Sequence, residues 1–271
     1  MSKKIMSKKS VKFVLVILFV IFALDIFLPD KTDRDINRQN PVVNITQTTA
    51  KETSEETSTV HITNVKNEFS LQNIPDYDND PYVEVNDNIP FFTEKEISSG
   101  KTSFIALNEL DSLGRCQSAF ASVSTDTMPT EKRGNIGSVK PTGWHTVKYA
   151  GIDGNYLYNR CHLLMYALTG LNAEPKNLIT GTRYLNIEGN LPFEESVVQY
   201  IEDTGNHVLY RVTPIFNGDN LLCSGELMEA YSVEDNGQFH FCVYCYNVQP
   251  GVEINYATGE SSGPEFVGTE K

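Results

Sequence analysis

The sequence has few cysteines, one tryptophan and no overall excess of positive charge. Among its 271 residues are five cysteines, and 35 acidic against 22 basic side chains leave a formal net charge of −13. Because five is an odd number, a disulfide framework is not indicated. A charge this negative, taken alone, argues against a protein that binds nucleic acid. No internal repeat is visible.

Long apolar runs are also scarce, and the longest lies near the amino terminus. Residues 13–24 are uninterrupted apolar sequence, and the twelve residues before them carry five lysines and no acid. This pattern is typical of a targeting segment over residues 1–29. No small-residue cleavage site follows the run, which argues against a cleaved signal. The run is, however, shorter than the roughly 20 residues that a transmembrane helix needs to cross the membrane. We expect a retained anchor rather than a cleaved signal, with the lysines inside the cell and the remainder exported.

Composition divides the rest of the chain into three parts. Residues 30–69 are rich in Thr, Ser, Asn, Glu and Gln, which predicts a solvated linker. Residues 70–260 have the composition of a globular domain. Residues 261–271 are polar and are predicted to form a loose tail.

The cysteines leave two interpretations open. Cys242 and Cys245 have the spacing of half a zinc site, but they lie in a strand pattern whose side chains alternate between faces. We therefore favour buried strand cysteines. A disulfide between Cys116 and Cys161 would be compatible with a location outside the cytoplasm.

Periodicity and turn signals predict an α+β domain in which a mixed antiparallel sheet is flanked by helices. Asn236-Gly237 indicates a hairpin turn, and Pro192 and Gly205 indicate the two ends of a helix. The predicted strands cover residues 115–123, 144–149, 156–158, 208–212, 222–233 and 239–248, and the predicted helices cover residues 163–169, 179–187 and 192–204.

The chemically richest stretch is residues 156–164. Tyr156 and Tyr158 alternate with Leu157 as in a strand, and a polar cluster then leads into a short helix. His162 can take a proton near neutral pH, and Arg160 can bind a phosphate through its planar fork of donors. Residues 130–185 carry seven basic and three acidic side chains, so positive charge collects around this stretch despite the global sum.

The segment Asn159-Arg160-Cys161-His162 resembles the Asp-Arg-Gly-His signature of the DNA/RNA non-specific endonucleases, which have a ββα-metal active site. The chain is most similar there to bacterial DNA-entry nucleases and related secreted DNases. The resemblance extends in one order through residues 129–134, 137–144, 175–178, 183–186, 192–194, 206–214 and 256–259.

The resemblance implies a role for nine residues and a metal cofactor. His162 would be the general base, and one Mg²⁺, with Mn²⁺ as an alternative, would be bound without any small-molecule cofactor. Glu194 matches the carboxylate that completes the metal site through water. The implied set is His162, Arg160 and Arg133 for catalysis, Asn186 and Glu194 for metal, Asn177 and Asn159 as auxiliary residues, and Lys132 and Arg183 for substrate.

Two positions depart from the family pattern. Asn159 stands where the family has aspartate, and Cys161 stands where it has glycine. Asparagine keeps an acceptor but loses the charge, while cysteine excludes a glycine-only backbone conformation. Neither change touches the implied base or metal ligand.

The sequence thus favours an exported nuclease that cuts DNA, with RNA as an open alternative. It would be tethered to the membrane or secreted, and DNA-uptake machinery is a candidate partner. One rival is a catalytically silent nucleic-acid-binding component of such machinery, and another is a secreted structural or adhesive protein. Taken singly, Asn186 could be a helix cap, Glu194 a first-turn acid and Arg183 a salt-bridge residue.

Overall fold

The computed structural model describes residues 69–270. The apolar run at residues 13–24 and nearly all of the predicted linker lie outside the described residues. Within residues 69–270 no helix has the length and apolar character needed to cross a membrane.

Strands dominate the described part of the chain. The strands are β1 Tyr82–Glu84, β2 Phe104–Leu107, β3 Ala119–Val123, β4 Thr146–Tyr149, β5 Tyr158–His162, β6 Leu178–Thr182, β7 Val208–Ile215, β8 Gly225–Ser232, β9 His240–Tyr246, β10 Glu253–Ile254, β11 Ser261–Ser262 and β12 Phe266–Glu270. The helices are α1 Glu94–Ser99, α2 Tyr166–Thr169 and α3 Leu191–Thr204, with a π-helical segment at Leu185–Asn190 and short turns at Leu71–Asn73, Asn86–Asn88 and Pro175–Asn177.

Six of these strands form an antiparallel sheet in the order β1-β9-β8-β7-β3-β2. Three two-stranded sheets, β5-β6, β4-β12 and β10-β11, complete the strand pairing. The fold is therefore mixed α+β with mostly antiparallel strands, as predicted. Asn236 and Gly237 adopt positive φ angles of 59° and 80° between β8 and β9, which confirms the hairpin turn.

Helix α3 is built as its sequence predicts. Pro192 occupies its first turn, where a missing N–H costs nothing, and Gly205 ends it with a φ of 72°. Phe193, Val197 and Ile201 form its buried face. This face belongs to one core cluster with residues of the large sheet and of β5, so the core ties α3 to the strand that ends at His162.

The predicted helix over residues 179–187 is wrong. Residues Leu178–Thr182 form β6, all five buried, and pair antiparallel with β5 so that His162 lies opposite Leu178. A π-helical segment follows at Leu185–Asn190. The β-branched residues Ile179, Thr180 and Thr182 favour a strand, and the pairing with β5 outweighs the helical spacing farther along.

Three other local predictions need correction. The short helix begins at Tyr166 rather than at residue 163, although Gly170 ends it as predicted. The strand predicted at residues 156–158 runs instead over Tyr158–His162 and pairs with β6, while Tyr156, just before it, forms a bridge with Lys148 of β4. The predicted loose tail contains β11 and β12 instead, and β12 pairs with β4.

All five cysteines are buried and carry free thiols. The suggested disulfide between Cys116 and Cys161 is therefore not formed. Cys242 and Cys245 are buried within β9, which confirms the strand interpretation.

Candidate active site

A cavity of about 740 Å³ opens between β5, α2 and the start of α3. Its lining is mixed, with arginine side chains, a histidine and several aromatic rings. The structure brings together seven of the nine residues predicted for the site, namely Arg133, Asn159, Arg160, His162, Arg183, Asn186 and Glu194.

His162 lies at the end of β5, and its imidazole has a defined hydrogen-bond partner. Nε2 lies 2.9 Å from the backbone carbonyl oxygen of Asn172, which can only accept a hydrogen bond. Nε2 therefore carries the proton in the neutral ring, and Nδ1 keeps its lone pair. An imidazole held in this tautomer can accept a proton at Nδ1.

Burial lowers the pKa of His162, and the positive charge of Arg133 lowers it further, against the raising effect of the bond to Asn172. The Nη2 atom of Arg133 lies 3.4 Å from Nδ1 of His162. The ring therefore stays neutral at neutral pH, which is the state a general base requires.

Asn172 connects His162 with the loop at Gly134, and the sequence analysis did not identify it. Its backbone oxygen binds His162, and its side-chain Oδ1 accepts a 3.0 Å hydrogen bond from the N–H of Gly134. A Cβ at Gly134 would lie 2.9 Å from Nδ2 of Asn172, so a larger residue there would displace this side chain. Because a backbone oxygen makes the contact with His162, no side-chain signal in the sequence pointed to Asn172.

Arg160 supports a loop at the cavity wall. Its Nε donates a 2.5 Å bond to the carbonyl of Val139, and Nη2 donates a 3.0 Å bond to that of Gly137. The guanidinium also lies over the Trp144 ring, 3.9 Å from its centroid. Much of its donor capacity is thus used by the protein, and Trp144 lines the cavity although the sequence analysis did not single it out.

Arg183 and Asn159 face each other with incomplete hydrogen bonding. Nη2 of Arg183 is 2.5 Å from the exposed Asp153 carboxylate, and Nη1 is 3.4 Å from Oδ1 of Asn159. Nε of Arg183 and Nδ2 of Asn159 are both buried donors without a partner. Asn159 thus presents one acceptor and one unpaired donor at the position where the family pattern has an aspartate with two acceptors.

Asn186 and Glu194 approach the cavity from consecutive elements. Asn186 is in the π-helical segment, and Glu194 is in the first turn of α3 on its buried face. Burial raises the pKa of Glu194 to about 8, Glu226 adds to this and Arg133 opposes it. A π-helical segment of this kind is frequent at functional sites.

Two predicted site residues do not line the cavity. Asn177 is fully buried, and its amide exchanges two 2.9 Å hydrogen bonds with the backbone of Leu164. It therefore holds the chain just after His162. Lys132 is exposed and precedes Arg133 along the chain.

The donor set of the cavity suits a hard cation. Asn186 offers an amide oxygen, and Glu194 offers a carboxyl group that becomes a carboxylate ligand on losing its proton; both are ligand types that Mg²⁺ prefers. Within residues 69–270 no group of three or more His, Cys, Asp or Glu side chains is arranged to hold a metal. The chemistry of the donors thus fits a metal bound by few protein ligands, with water and substrate supplying the rest.

Comparisons with known proteins agree with this architecture. The family model for the DNA/RNA non-specific endonuclease matches residues 95–233, just over half of the chain. The crystal structure of NucA from Streptococcus agalactiae with magnesium ion bound is 26% identical, with a TM-score of 0.58 over 67% of this chain and 86% of that one. The structure of the same protein with no metal bound has a TM-score of 0.59 at 26% identity, covering 72% and 92%.

The Sda1 nuclease with bound zinc ion shares the fold, with a TM-score of 0.50 at 24% identity over 59% of this chain and 82% of that one. The matched family segment includes β5, α2, the π-helical segment and α3, which together line the cavity. The chain therefore belongs to the DNA/RNA non-specific endonuclease family.

Proposed function

We propose that this protein is a divalent-metal-dependent endonuclease that hydrolyses phosphodiester bonds in DNA, with His162 as its general base. The observation that carries the proposal is the state of the imidazole. Its Nε2 proton is donated to the carbonyl of Asn172, its Nδ1 keeps a lone pair that accepts a long 3.4 Å hydrogen bond from Nη2 of Arg133, and its pKa is lowered. It stands in one cavity with Asn186 and Glu194.

The chain's own residues supply the proton transfer and part of the charge compensation. Nδ1 of His162 takes a proton from the attacking water as its oxygen bonds to phosphorus, the bond from phosphorus to the leaving oxygen breaks, and the leaving oxygen takes up a proton from solvent water. Arg133, next to Nδ1, compensates negative charge that develops on the phosphate. Asn172 keeps the imidazole in the competent tautomer, and Asn177 fixes the chain behind it.

Asn186 and Glu194 are the residues that would hold the metal, and we propose Mg²⁺, with Mn²⁺ as an alternative. When bound, such a cation supplies Lewis-acid stabilisation of charge on the phosphate and the leaving group. The oxygen chemistry of the two side chains supports this assignment, and so does the magnesium ion in NucA from Streptococcus agalactiae.

Low sequence preference is supported by the lining of the cavity. Its charged donors are the guanidinium groups of Arg133, Arg160 and Arg183, which suit phosphates, and phosphates carry no sequence information. We favour DNA as substrate, and RNA is a second substrate that the same contacts permit. Lys132 would add to the contacts with the backbone beside Arg133.

We also propose that residues 70–260 form the nuclease domain, exported and joined through a linker at 30–69 to a membrane segment within 1–29. The lysine-rich start followed by the apolar run at residues 13–24 supports this organisation. Fractionation of cells, with protease added from outside, tests it: the domain should be membrane-associated and degraded in intact cells.

The enzymatic proposal is tested by digesting supercoiled plasmid with the full-length protein. Cleavage should require Mg²⁺, stop with EDTA, and fall by about 10²–10⁴-fold in His162→Ala because the general base is lost. Asn186→Ala should lose activity that extra Mg²⁺ partly restores. His207→Ala, which removes a histidine paired with Glu234 outside the cavity, is the control and should cut normally.

The rival function, a silent nucleic-acid-binding component, gives a different result. It requires His162→Ala to leave DNA handling unchanged and the wild type to show no Mg²⁺-dependent cutting. A structural or adhesive protein would show neither cleavage nor salt-sensitive DNA binding.

A further inference from the structure

We propose that Glu226 is a positioning residue for the nuclease site: by holding Asn190, it fixes the junction of the two elements that carry Asn186 and Glu194. The inference rests on the proposed function, because it assumes that these two side chains bind the metal. Glu226 itself does not line the cavity.

The environment of Glu226 is unusual for a carboxylate. It lies in β8 and is fully buried, and its Oε2 accepts a 2.5 Å hydrogen bond from Nδ2 of Asn190 while Oε1 has no partner. Glu229 on the same strand is also buried, but it is paired with Arg211 through two bonds of 2.7 and 2.9 Å. A buried acid without such compensation lowers stability, so the stability of the sheet does not account for Glu226.

Asn190 lies between the two elements that carry Asn186 and Glu194. It is the last residue of the π-helical segment and the residue at the start of α3, and it is itself buried. Asn186 lies four residues before it and Glu194 four residues after it. A change in the orientation of Asn190 would therefore be passed to both proposed ligands.

The π-helical segment is held by a polar bond at each end. At its start, the N–H of Leu185 donates a 2.9 Å bond to Oγ1 of Thr182, and at its end Asn190 donates to Glu226. Helices of this wide type are rare and occur mostly as short insertions, so they depend on their surroundings. Metal ligands must be held within about half an ångström of their productive positions to act together. The bond from Asn190 to Glu226 therefore affects how well Asn186 and Glu194 can bind the metal.

The expected effect is on metal binding rather than on folding alone. Removing a partner behind the ligands typically lowers metal affinity by about 10–100-fold. Glu226→Leu deletes the acceptor at similar volume, and Asn190→Ala deletes the donor. Glu226→Gln keeps an acceptor oxygen for Nδ2 of Asn190 and should preserve binding.

The test measures Mn²⁺ binding by the full-length protein without DNA, with free Mn²⁺ read by electron paramagnetic resonance. Glu226→Leu and Asn190→Ala should each weaken binding about tenfold, and Glu226→Gln should stay within about threefold of wild type. Leu227→Ala is the matched control, because it removes a buried side chain next to Glu226 that points to the opposite face of the same strand. Melting temperatures of all variants are recorded alongside.

Two results would overturn the positioning role alone: wild-type Mn²⁺ affinity in Glu226→Leu or Asn190→Ala, or an equal loss in Leu227→Ala at a matched melting temperature. A wild-type protein that neither binds Mn²⁺ nor cuts DNA would overturn the proposed function and the positioning role with it. Weakened binding in both deletions with retention in Glu226→Gln supports the proposal.

Discussion

At the level of single residues, the environment of His162 determines how the site responds to pH. Burial and Arg133 keep the pKa of His162 below its usual 6.5. A base acts in its neutral form, so activity is present above the pKa of the folded protein and is lost as pH falls through it. The acid limb of kcat/KM should therefore have its midpoint below pH 6.5.

Arg133→Ala tests the electrostatic part of this shift. Removing the guanidinium removes a repulsion against protonated His162, so the acid midpoint should move to higher pH while the overall rate falls. Arg133→Lys keeps the charge and serves as the control. The measurement is a pH profile of kcat/KM for each variant, and a midpoint that moves downward in Arg133→Ala would contradict the assignment.

Asn159 offers a second prediction at this scale. An aspartate there would replace the unpaired buried donor Nδ2 with an acceptor oxygen beside Arg183. We expect Asn159→Asp to raise the free energy of unfolding by about 1 kcal/mol, because an unsatisfied donor is removed and Arg183 gains a charged partner. Thermal unfolding measures the effect, with Asn217→Asp in an exposed loop as the control for added charge. A melting temperature equal to that of wild type would refute this interpretation.

At the level of elements, the loop that carries Gly137 and Val139 depends on one side chain. Arg160 holds both carbonyls and stacks on Trp144. Arg160→Lys keeps the charge but cannot reproduce the planar fork. Losing about 1.5 kcal/mol of hydrogen bonding should raise the open population of the loop about tenfold.

Limited thermolysin digestion reads this opening, because Val139 lies in the same loop and thermolysin cleaves before large apolar residues. Cleavage before Val139, followed by mass spectrometry, should be about tenfold faster in Arg160→Lys when opening and closing are rapid. Lys176→Arg, at an exposed ion pair with Glu109, is the control. Equal digestion rates would mean that Arg160 does not secure the loop.

The elements also show what could be predicted from the sequence. Helix α3 and the β8-β9 hairpin followed from Pro192, Gly205 and Asn236-Gly237, because these residues act through local backbone geometry. Strand β6 and the π-helical segment were missed, because their state depends on pairing with β5 and packing on β9. The β4-β12 pairing is equally non-local, since it joins residues more than one hundred positions apart.

The residues of the site were also predictable where a local sequence motif marks them and not where long-range contacts do. The motif identified His162 and its neighbours, and seven predicted residues line one cavity. Asn172 could not be recognised, because its contact with His162 is made by a backbone carbonyl. Glu226 could not be recognised, because it contacts the buried amide of Asn190 and does not line the cavity.

At the level of the whole molecule, DNA must reach a positive cavity on a chain of net charge −13. If Lys132, Arg133 and Arg183 contact three phosphates, affinity should fall about 40-fold between 50 and 200 mM NaCl. Fluorescence anisotropy of His162→Ala with a labelled duplex measures this without cleavage. A variant with all three changed to Gln should have a nearly flat salt response, and an unaltered slope would place the contacts elsewhere.

The pairing of β12 with β4 has a practical consequence for anyone who produces this protein. Glu270 is registered opposite Thr146, which lines the cavity, so the carboxyl end of the described chain runs about 4.8 Å from the cavity wall. An affinity tag or fluorescent fusion added at that end would crowd the entry of the substrate.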